Sequence, residues 1–160
     1  MKFTALIVVM AGLQWCIVVA ADECDAGWQF YGDSCYLFNK TRVTPTVAKN
    51  FCRTQAGYLA QPTNEGIHTF LKETAKQLEA GSAGNYWIGG SDLTTEGQWQ
   101  WLNNEKCFSY TGWDAGEPND NDIEDCLELR ADREYRWNDE HCWSTRFFIC
   151  EKLTEKCTSK

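Results

Sequence analysis

The sequence has little that would support catalysis or a membrane span beyond its first residues. No apolar run after residue 21 is long enough to cross a bilayer. The chain has no internal repeat, linker or low-complexity stretch, which excludes repeat architectures. The motifs Gly-x-Ser-x-Gly and His-Glu-x-x-His are absent, and no His and Cys residues are arranged as a base and its nucleophile. We therefore expect one domain that is not an enzyme.

The first 21 residues have the composition of a secretory signal peptide. Lys2 gives a positive start, the stretch Phe3–Ala20 is almost entirely apolar, and small residues end it. A membrane anchor is the alternative. The stretch is barely long enough to span a bilayer, however, and its small residues favour cleavage after Ala20 or Ala21. We predict a signal peptide over residues 1–21 and a secreted, extracellular protein.

The remaining residues, 22–160, have the size of one domain, with a core over 24–151 and a short polar tail. The formal net charge of the chain is −8, and removal of Lys2 makes it more negative. This charge argues against nucleic acid or an anionic membrane as a partner. The sequence Asn39-Lys40-Thr41 is an N-glycosylation sequon, expected on an exposed loop of a glycoprotein.

Nine cysteines are present, and Cys16 would leave with the signal peptide. The even number that remains predicts a disulfide framework in a secreted domain, although spacing alone does not choose the pairing.

Helical patterns come first and strand patterns later, which favours an α+β domain. One helix is predicted to start at Thr44 and Pro45, and a second at Thr63 or Asn64. Short strands are predicted around Trp28–Phe30, Cys35–Phe38, Tyr86–Gly90, Gln98–Trp101, Cys126–Leu129 and Arg146–Cys150. The polar segment between the later strands, 114–125, is long enough to indicate a functional loop.

This segment carries six carboxylates within twelve residues: Asp114, Glu117, Asp120, Asp122, Glu124 and Asp125. Close carboxylates repel one another unless they are protonated, move apart or bind a metal. Oxygen ligands without His or Cys favour calcium. A solvated acidic loop is the equal alternative on composition. An EF-hand is excluded because the required Gly and the terminal Glu spacing are absent.

Three further features favour a cation site. Glu117 and Asn119 flank Pro118, and a cis bond before this proline would aim both side chains at one point. Asn138 and Asp139 supply another amide and carboxylate, and Cys126 and Cys142 bracket the stretch between the two groups. Asp92 and Glu96, in a turn between aromatic strands, could serve a second ion.

The order and spacing of these residues resemble the C-type lectin domain family. The likeness extends from Cys24 to Cys150 and includes the stretch Trp87–Gly90, the tripeptides Glu117–Asn119 and Trp137–Asp139, and six framework cysteines. The resemblance implies a C-type lectin-like fold, with two helices, antiparallel sheets and a long calcium-binding loop. It also implies three disulfide bonds, Cys24–Cys35, Cys52–Cys150 and Cys126–Cys142.

The resemblance further implies the binding residues. A calcium ion that also binds the sugar would be held by Glu117, Asn119, Glu124, Asn138 and Asp139. A second calcium ion would be held by Asp92, Glu96, Asp120, Glu124 and Asp125.

The Glu-Pro-Asn arrangement goes, in this family, with the vicinal equatorial hydroxyls of mannose, N-acetylglucosamine, glucose and, with its own hydroxyls, fucose. The implied function is therefore calcium-dependent, mannose-type carbohydrate binding, used in glycan recognition in innate immunity. The alternative is a non-sugar structural or interaction protein on the same fold, in contact with matrix, mineral or ice.

Several other residues have less specific interpretations. Cys107 and Cys157 either pair with each other or link two chains into a homo-oligomer. A non-covalent homo-oligomer is the other alternative. Most tryptophans are expected in the core, with Trp113 and Trp143 as candidates for sugar stacking. His68 is expected at the surface, and a solvated hairpin tip is expected to carry Arg130, Arg133 and Arg136.

Overall fold

The computed structural model describes residues 24–78, 83–119 and 123–154, together with the backbone of two short strands near the start of the chain. Those strands, β1 (Ile7–Val8) and β2 (Ile17–Val18), pair antiparallel. The other residues of the predicted signal peptide lie outside the described part, and the signal peptide stays a prediction. None of the helices among the described residues is long and apolar enough to cross a membrane.

The domain combines two helices with one mixed sheet, which confirms the α+β prediction. The strands are β3 (Gln29–Tyr31), β4 (Ser34–Val43), β5 (Tyr58–Leu59), β6 (Tyr86–Ser91), β7 (Gln100–Trp101), β8 (Cys126–Arg130), β9 (Arg136–Glu140) and β10 (Arg146–Leu153). The sheet runs in the order β3-β4-β10-β6-β8-β9, with β5 against β10 and β7 against β6. One pair, β10 with β6, is parallel, so the expectation of antiparallel sheets holds for all the other pairs.

The two helices begin where the sequence predicts. Helix α1 (Pro45–Thr54) starts after Thr44, whose backbone is extended, and its first position is a proline whose missing N–H costs nothing there. Helix α2 (Glu65–Leu78) starts after Asn64, whose Oδ1 accepts a hydrogen bond from the Ile67 N–H at 3.0 Å. These caps fix where the helices start, and each helix then buries its apolar stripe.

Three disulfide bonds join Cys24 to Cys35, Cys52 to Cys150 and Cys126 to Cys142, which are the pairs that the resemblance implies. The second bond ties α1 to β10. The third ties the start of β8 to the turn after β9. Cys107 is exposed and forms no disulfide bond with another described cysteine. Cys157 lies outside the described residues, so both interpretations of this pair stay open.

The tryptophans mostly build the core, as predicted. Trp87 and Trp137 are fully buried, and Trp101 is 2% exposed. Trp113 is half-buried and packs edge-on against Trp99 and Trp137, with ring centroids 4.8 and 5.6 Å apart. Both contacts lie within the core, so Trp113 does not serve as an open stacking surface.

Asn39 lies within β4 rather than on a loop, and it is half-buried. Its Oδ1 accepts a hydrogen bond from the Thr41 N–H at 2.8 Å. The following two residues of the sequon are exposed. The expectation of a loop is wrong, and glycosylation of Asn39 stays a prediction.

His68 is 5% exposed, so the expectation of a surface residue is wrong. Its Nε2 lies 3.0 Å from the carbonyl oxygen of Tyr135, and its Nδ1 lies 3.0 Å from the hydroxyl oxygen of Tyr110. Because a carbonyl oxygen only accepts, Nε2 carries the hydrogen and Nδ1 accepts from the tyrosine. A Cβ at Gly112 would lie 2.4 Å from the imidazole, so glycine is required for this approach. Burial lowers the pKa of His68.

A lowered pKa makes His68 a source of acid sensitivity. Below about pH 6.5 the unfolded chain binds a proton that the folded chain resists, so folding stability falls as the pH drops. We expect the free energy of unfolding to fall more steeply between pH 7 and pH 5 in the wild type than in His68→Gln. Urea unfolding at a series of pH values measures the free energy of unfolding of both proteins. Above pH 7.5 the two curves should run parallel, and parallel curves over the whole range would contradict the prediction.

Candidate functional site

The predicted binding residues lie at one end of the sheet, where β8 and β9 pair. Asn138 and Asp139, both on β9, stand opposite Glu128 and Leu127 of β8. Both β9 side chains are buried, with 5% and 1% of their surface exposed. The pairing therefore places an amide and a carboxylate from β9 below the acidic loop, in fixed positions.

The loop reaches these two side chains through the segment Glu117–Asn119. The bond between Glu117 and Pro118 is cis, which is the condition under which the Glu117 and Asn119 side chains were expected to aim at one point. The Asn119 N–H donates to Asp139 Oδ1 at 3.3 Å. The carboxyl group of Glu117 also contacts that of Asp139, so residues more than twenty positions apart in the chain meet at one point.

Two carboxylates in contact need a proton or a cation between them. Burial, followed by the contact with and the repulsion from Asp139, raises the pKa of Glu117. The atoms Glu117 Oε2 and Asp139 Oδ2 are both buried, and neither has a hydrogen-bond partner among the described residues. Buried oxygens without partners are costly, and a bound divalent cation would satisfy both. The donor set fits calcium.

An open, polar pocket of about 310 Å³ is lined by residues close to these two carboxylates in the chain, Asn119 and Asn138 among them. Three of the predicted ligands line it, namely Asn119, Glu124 and Asn138. The sequence analysis did not identify its other lining residues, which are Asn85, Glu128, Arg130, Glu140 and Arg146. Glu128 could have been identified from its pairing with Asn138, had β9 been predicted as a strand.

Glu128 lies at the bottom of the pocket and connects three of its other residues. Its carboxylate is 1% exposed and accepts hydrogen bonds from Asn85 Nδ2 at 2.8 Å, Asn138 Nδ2 at 3.2 Å and Arg146 Nε at 2.7 Å. Burial raises the pKa of Glu128 to about 7, and the Arg146 guanidinium opposes that rise. The network fixes the orientation of the Asn138 amide, whose oxygen then faces away from Glu128.

Arg130 lies at this pocket and not at a solvated hairpin tip, so its predicted position is wrong. Its Nη1 donates to Asn138 Oδ1 at 3.1 Å, and its Nε pairs with Asp132 at 2.9 Å. Arg133 and Arg136 are exposed, as predicted, and both face Asp114 at less than 4 Å. A cationic side chain thus contacts the amide oxygen that a calcium ion would use.

A group of three potential metal ligands, Glu124, Glu140 and His141, is brought together in the described part of the chain. Their ligand atoms all lie within 4.8 Å of one another. His141 Nδ1 lies 3.1 Å from the carbonyl oxygen of Ile123 and 3.7 Å from Glu124 Oε1. Glu124 thus stands between the pocket and the turn after β9.

The residues predicted to hold a second calcium ion are less fully described. Asp92 is buried, and its Oδ2 accepts a hydrogen bond from the Gly97 N–H at 3.0 Å, which closes the turn before β7. Glu96 is exposed and Asp125 is half-buried. Asp120 lies outside the described residues, and the second calcium ion stays a prediction.

Comparison with known proteins identifies the family. The family model described as the Lectin C-type domain matches residues 41–152. The chain belongs to the C-type lectin domain family. Perlucin from Haliotis laevigata is 40% identical over 131 residues, which cover 81% of this chain and 83% of perlucin. The mouse scavenger receptor C-type lectin carbohydrate-recognition domain is 30% identical with a TM-score of 0.74, over 84% of this chain and all of that domain.

Two further solved structures show how different the proteins on this fold are. A structure of SPL-1 in complex with GlcNAc is 26% identical, with a TM-score of 0.72, over 84% of this chain and 98% of the other. A calcium-independent type II antifreeze protein is 28% identical, with a TM-score of 0.73, over 83% of this chain and 96% of the other. Domains of the family generally bind calcium and are generally not enzymes. The fold alone therefore leaves the ligand open, and the site residues must decide it.

The contact between Glu117 and Asp139 predicts how calcium changes stability. In a chelator at pH 8 the two carboxylates repel, so Glu117→Gln should stabilise the protein. Relief of about 1 kcal/mol corresponds to a rise of roughly 4 °C in Tm. In millimolar calcium the order should reverse, because the variant lacks one ligand. Thermal unfolding measures both conditions.

Asp114→Asn is the matched control for this variant. Asp114 lies in the same loop but faces Arg133 and Arg136, so its removal should not raise Tm in chelator. A Glu117→Gln protein that is less stable than the wild type in both conditions would contradict the prediction.

Proposed function

We propose that the protein is a secreted lectin that binds glycans through a calcium ion held by Glu117, Asn119, Glu124, Asn138 and Asp139. The observation that carries the proposal is the pair of buried carboxylate oxygens, Glu117 Oε2 and Asp139 Oδ2, which have no hydrogen-bond partner among the described residues. Their neighbours in the chain, Asn119 and Asn138, line an open polar pocket. The pocket is open, as a site for a saccharide must be. We also propose a second calcium ion at Asp92, Glu96, Asp120, Glu124 and Asp125.

The side chains around the pocket can perform sugar recognition. A calcium ion at this place would offer open coordination positions to two vicinal hydroxyl groups. The carboxylates of Glu117 and Glu124 would each accept a hydrogen bond from one of these hydroxyls. The amides of Asn119 and Asn138 would each donate one. The position of acid and amide around the site therefore decides which hydroxyl geometry fits.

The Glu-Pro-Asn order supports a preference for equatorial vicinal hydroxyls, as in mannose, N-acetylglucosamine and fucose. The similar structure of SPL-1 with GlcNAc is consistent with this preference. One shallow site binds a sugar weakly, so useful affinity would need several sites acting together. A homo-oligomer, either non-covalent or linked through Cys107 or Cys157, would provide them. Recognition of microbial glycans in innate immunity is the biological role that we propose.

A non-sugar role is the second candidate, because a calcium-independent antifreeze protein shares this fold at 28% identity. A contact with matrix, mineral or ice would not require the buried carboxylates of Glu117 and Asp139 to converge. Calcium-dependent sugar binding is therefore the proposal that the site favours.

A glycan array with and without calcium tests the proposal. We expect binding to mannose-, N-acetylglucosamine- and fucose-terminated glycans in millimolar calcium and its loss in chelator. It should also weaken at low pH, since protonated carboxylates are poor calcium ligands. Retention of sugars in chelator, or no binding to any glycan, would refute calcium-dependent recognition and favour the non-sugar role.

Exchanging two side chains tests the specificity separately. The double variant Glu117→Gln, Asn119→Asp moves the carboxylate and the amide to opposite positions, so the array profile should shift from mannose towards galactose. The variant Arg133→Gln, at an exposed residue away from the pocket, is the control and should leave the profile unchanged. A double variant that still binds calcium and keeps the mannose profile would show the assignment to be wrong.

A further inference from the structure

Trp143 is an exposed aromatic side chain beside the pocket. Its surface is 66% exposed, which is unusual for so large an apolar group. Its indole stacks on the imidazole of His141, with ring centroids 4.4 Å apart and planes inclined by 20°. One face of the indole is covered by His141, and much of the remaining surface is open to solvent. The two rings form what we call the Trp143–His141 platform.

The platform is held by its local structure. It lies in the turn after β9, which is joined to β8 by the Cys126–Cys142 bond. The Ser144 N–H donates to the His141 carbonyl oxygen at 3.0 Å and closes the turn, and Ser144 Oγ donates to Glu140 Oε1 at 3.2 Å. His141 Nδ1 is fixed by the Ile123 carbonyl oxygen at 3.1 Å. A surface held in this way loses little conformational entropy when a ligand covers it.

The platform continues the polar pocket. Glu140, which immediately precedes His141, lines the pocket, and so does Glu124, whose Oε1 lies 3.7 Å from His141 Nδ1. Ile123, whose carbonyl oxygen contacts the same imidazole, has an apolar side chain that is 46% exposed. Polar groups suited to hydroxyls thus give way, within one or two side chains, to an apolar surface.

We propose that the Trp143–His141 platform is a subsite for a second sugar unit of an oligosaccharide whose first unit occupies the pocket. The proposal rests on the proposed function. A pyranose ring has hydroxyls at its edge and a face made of C–H groups. Such a face gains dispersion energy over an indole, and its C–H hydrogens are attracted by the negative face of the ring. The preferred ligand is therefore a neutral oligosaccharide and not a single sugar.

Titration calorimetry in calcium tests the subsite with three probes: methyl α-mannoside, octyl α-mannoside and mannotriose. The wild type should bind mannotriose more tightly than the methyl glycoside. In Trp143→Ala the affinity for mannotriose should fall about fivefold, while that for the methyl glycoside stays unchanged. Trp143→Phe should keep most of the affinity. Leu153→Ala removes an equally exposed apolar side chain on β10 and is the control.

The outcomes distinguish the two proposals. If the wild type binds none of the probes, calcium-dependent recognition fails and the subsite fails with it. If the methyl glycoside binds but Trp143→Ala leaves mannotriose unchanged, or weakens both sugars equally, only the subsite is wrong. If Trp143→Ala weakens binding of the octyl glycoside more than binding of mannotriose, the platform binds an aliphatic chain. That outcome also overturns the subsite. A melting curve of Trp143→Ala confirms that the variant is folded.

Discussion

The contact between the carboxyl groups of Glu117 and Asp139 is the constraint on which the site depends. Two carboxyl groups meet where burial disfavours the charged form of Glu117, and each leaves one oxygen without a partner among the described residues. Such an arrangement costs free energy unless the protein gains something from it. The fold supplies the means to maintain it: paired strands on one side, and on the other a loop segment joined to β9 by the hydrogen bond from Asn119 to Asp139.

The other carboxylates near this contact are paired with donors and with a positive charge. Glu128 is buried below the pocket, where three donors satisfy it, and Arg146 offsets its charge. Arg146 also contacts Glu140, so one guanidinium serves two carboxylates. Buried charges are tolerated when they are paired and hydrogen-bonded in this way. Glu128 is thus fully hydrogen-bonded, whereas Glu117 and Asp139 each keep one oxygen without a partner among the described residues, and this contrast marks the pair as the place for a cation.

Much of this architecture could be predicted from residues with strong local signals. Proline after Thr44 and the capping Asn64 fixed the helix starts, and the clustered acids with Asn138 and Asp139 indicated the cation site. The disulfide pairs followed only from the family resemblance. Some residues were misplaced because tertiary contacts decided their positions: His68 is drawn inside by Gly112 and Tyr110, Arg130 turns towards Asn138, and Asn39 lies in β4 and not on a loop. Trp113, one of two candidates for sugar stacking, packs into the core. A single sequence does not reveal which face of a charged hairpin is turned inwards.

Arg130 places a positive charge at the proposed calcium site. The guanidinium occupies the oxygen of Asn138, and its charge also acts on Glu117. In the protein without calcium, Arg130 would therefore offset part of the repulsion between Glu117 and Asp139, and the acidic loop would not have to open. Uptake of the proposed calcium ion would exchange one positive charge for another at Asn138 Oδ1, while Arg130 keeps its ion pair with Asp132. Such an exchange lowers the apparent affinity for the metal, so that the protein would load where calcium is abundant and stay folded where it is scarce.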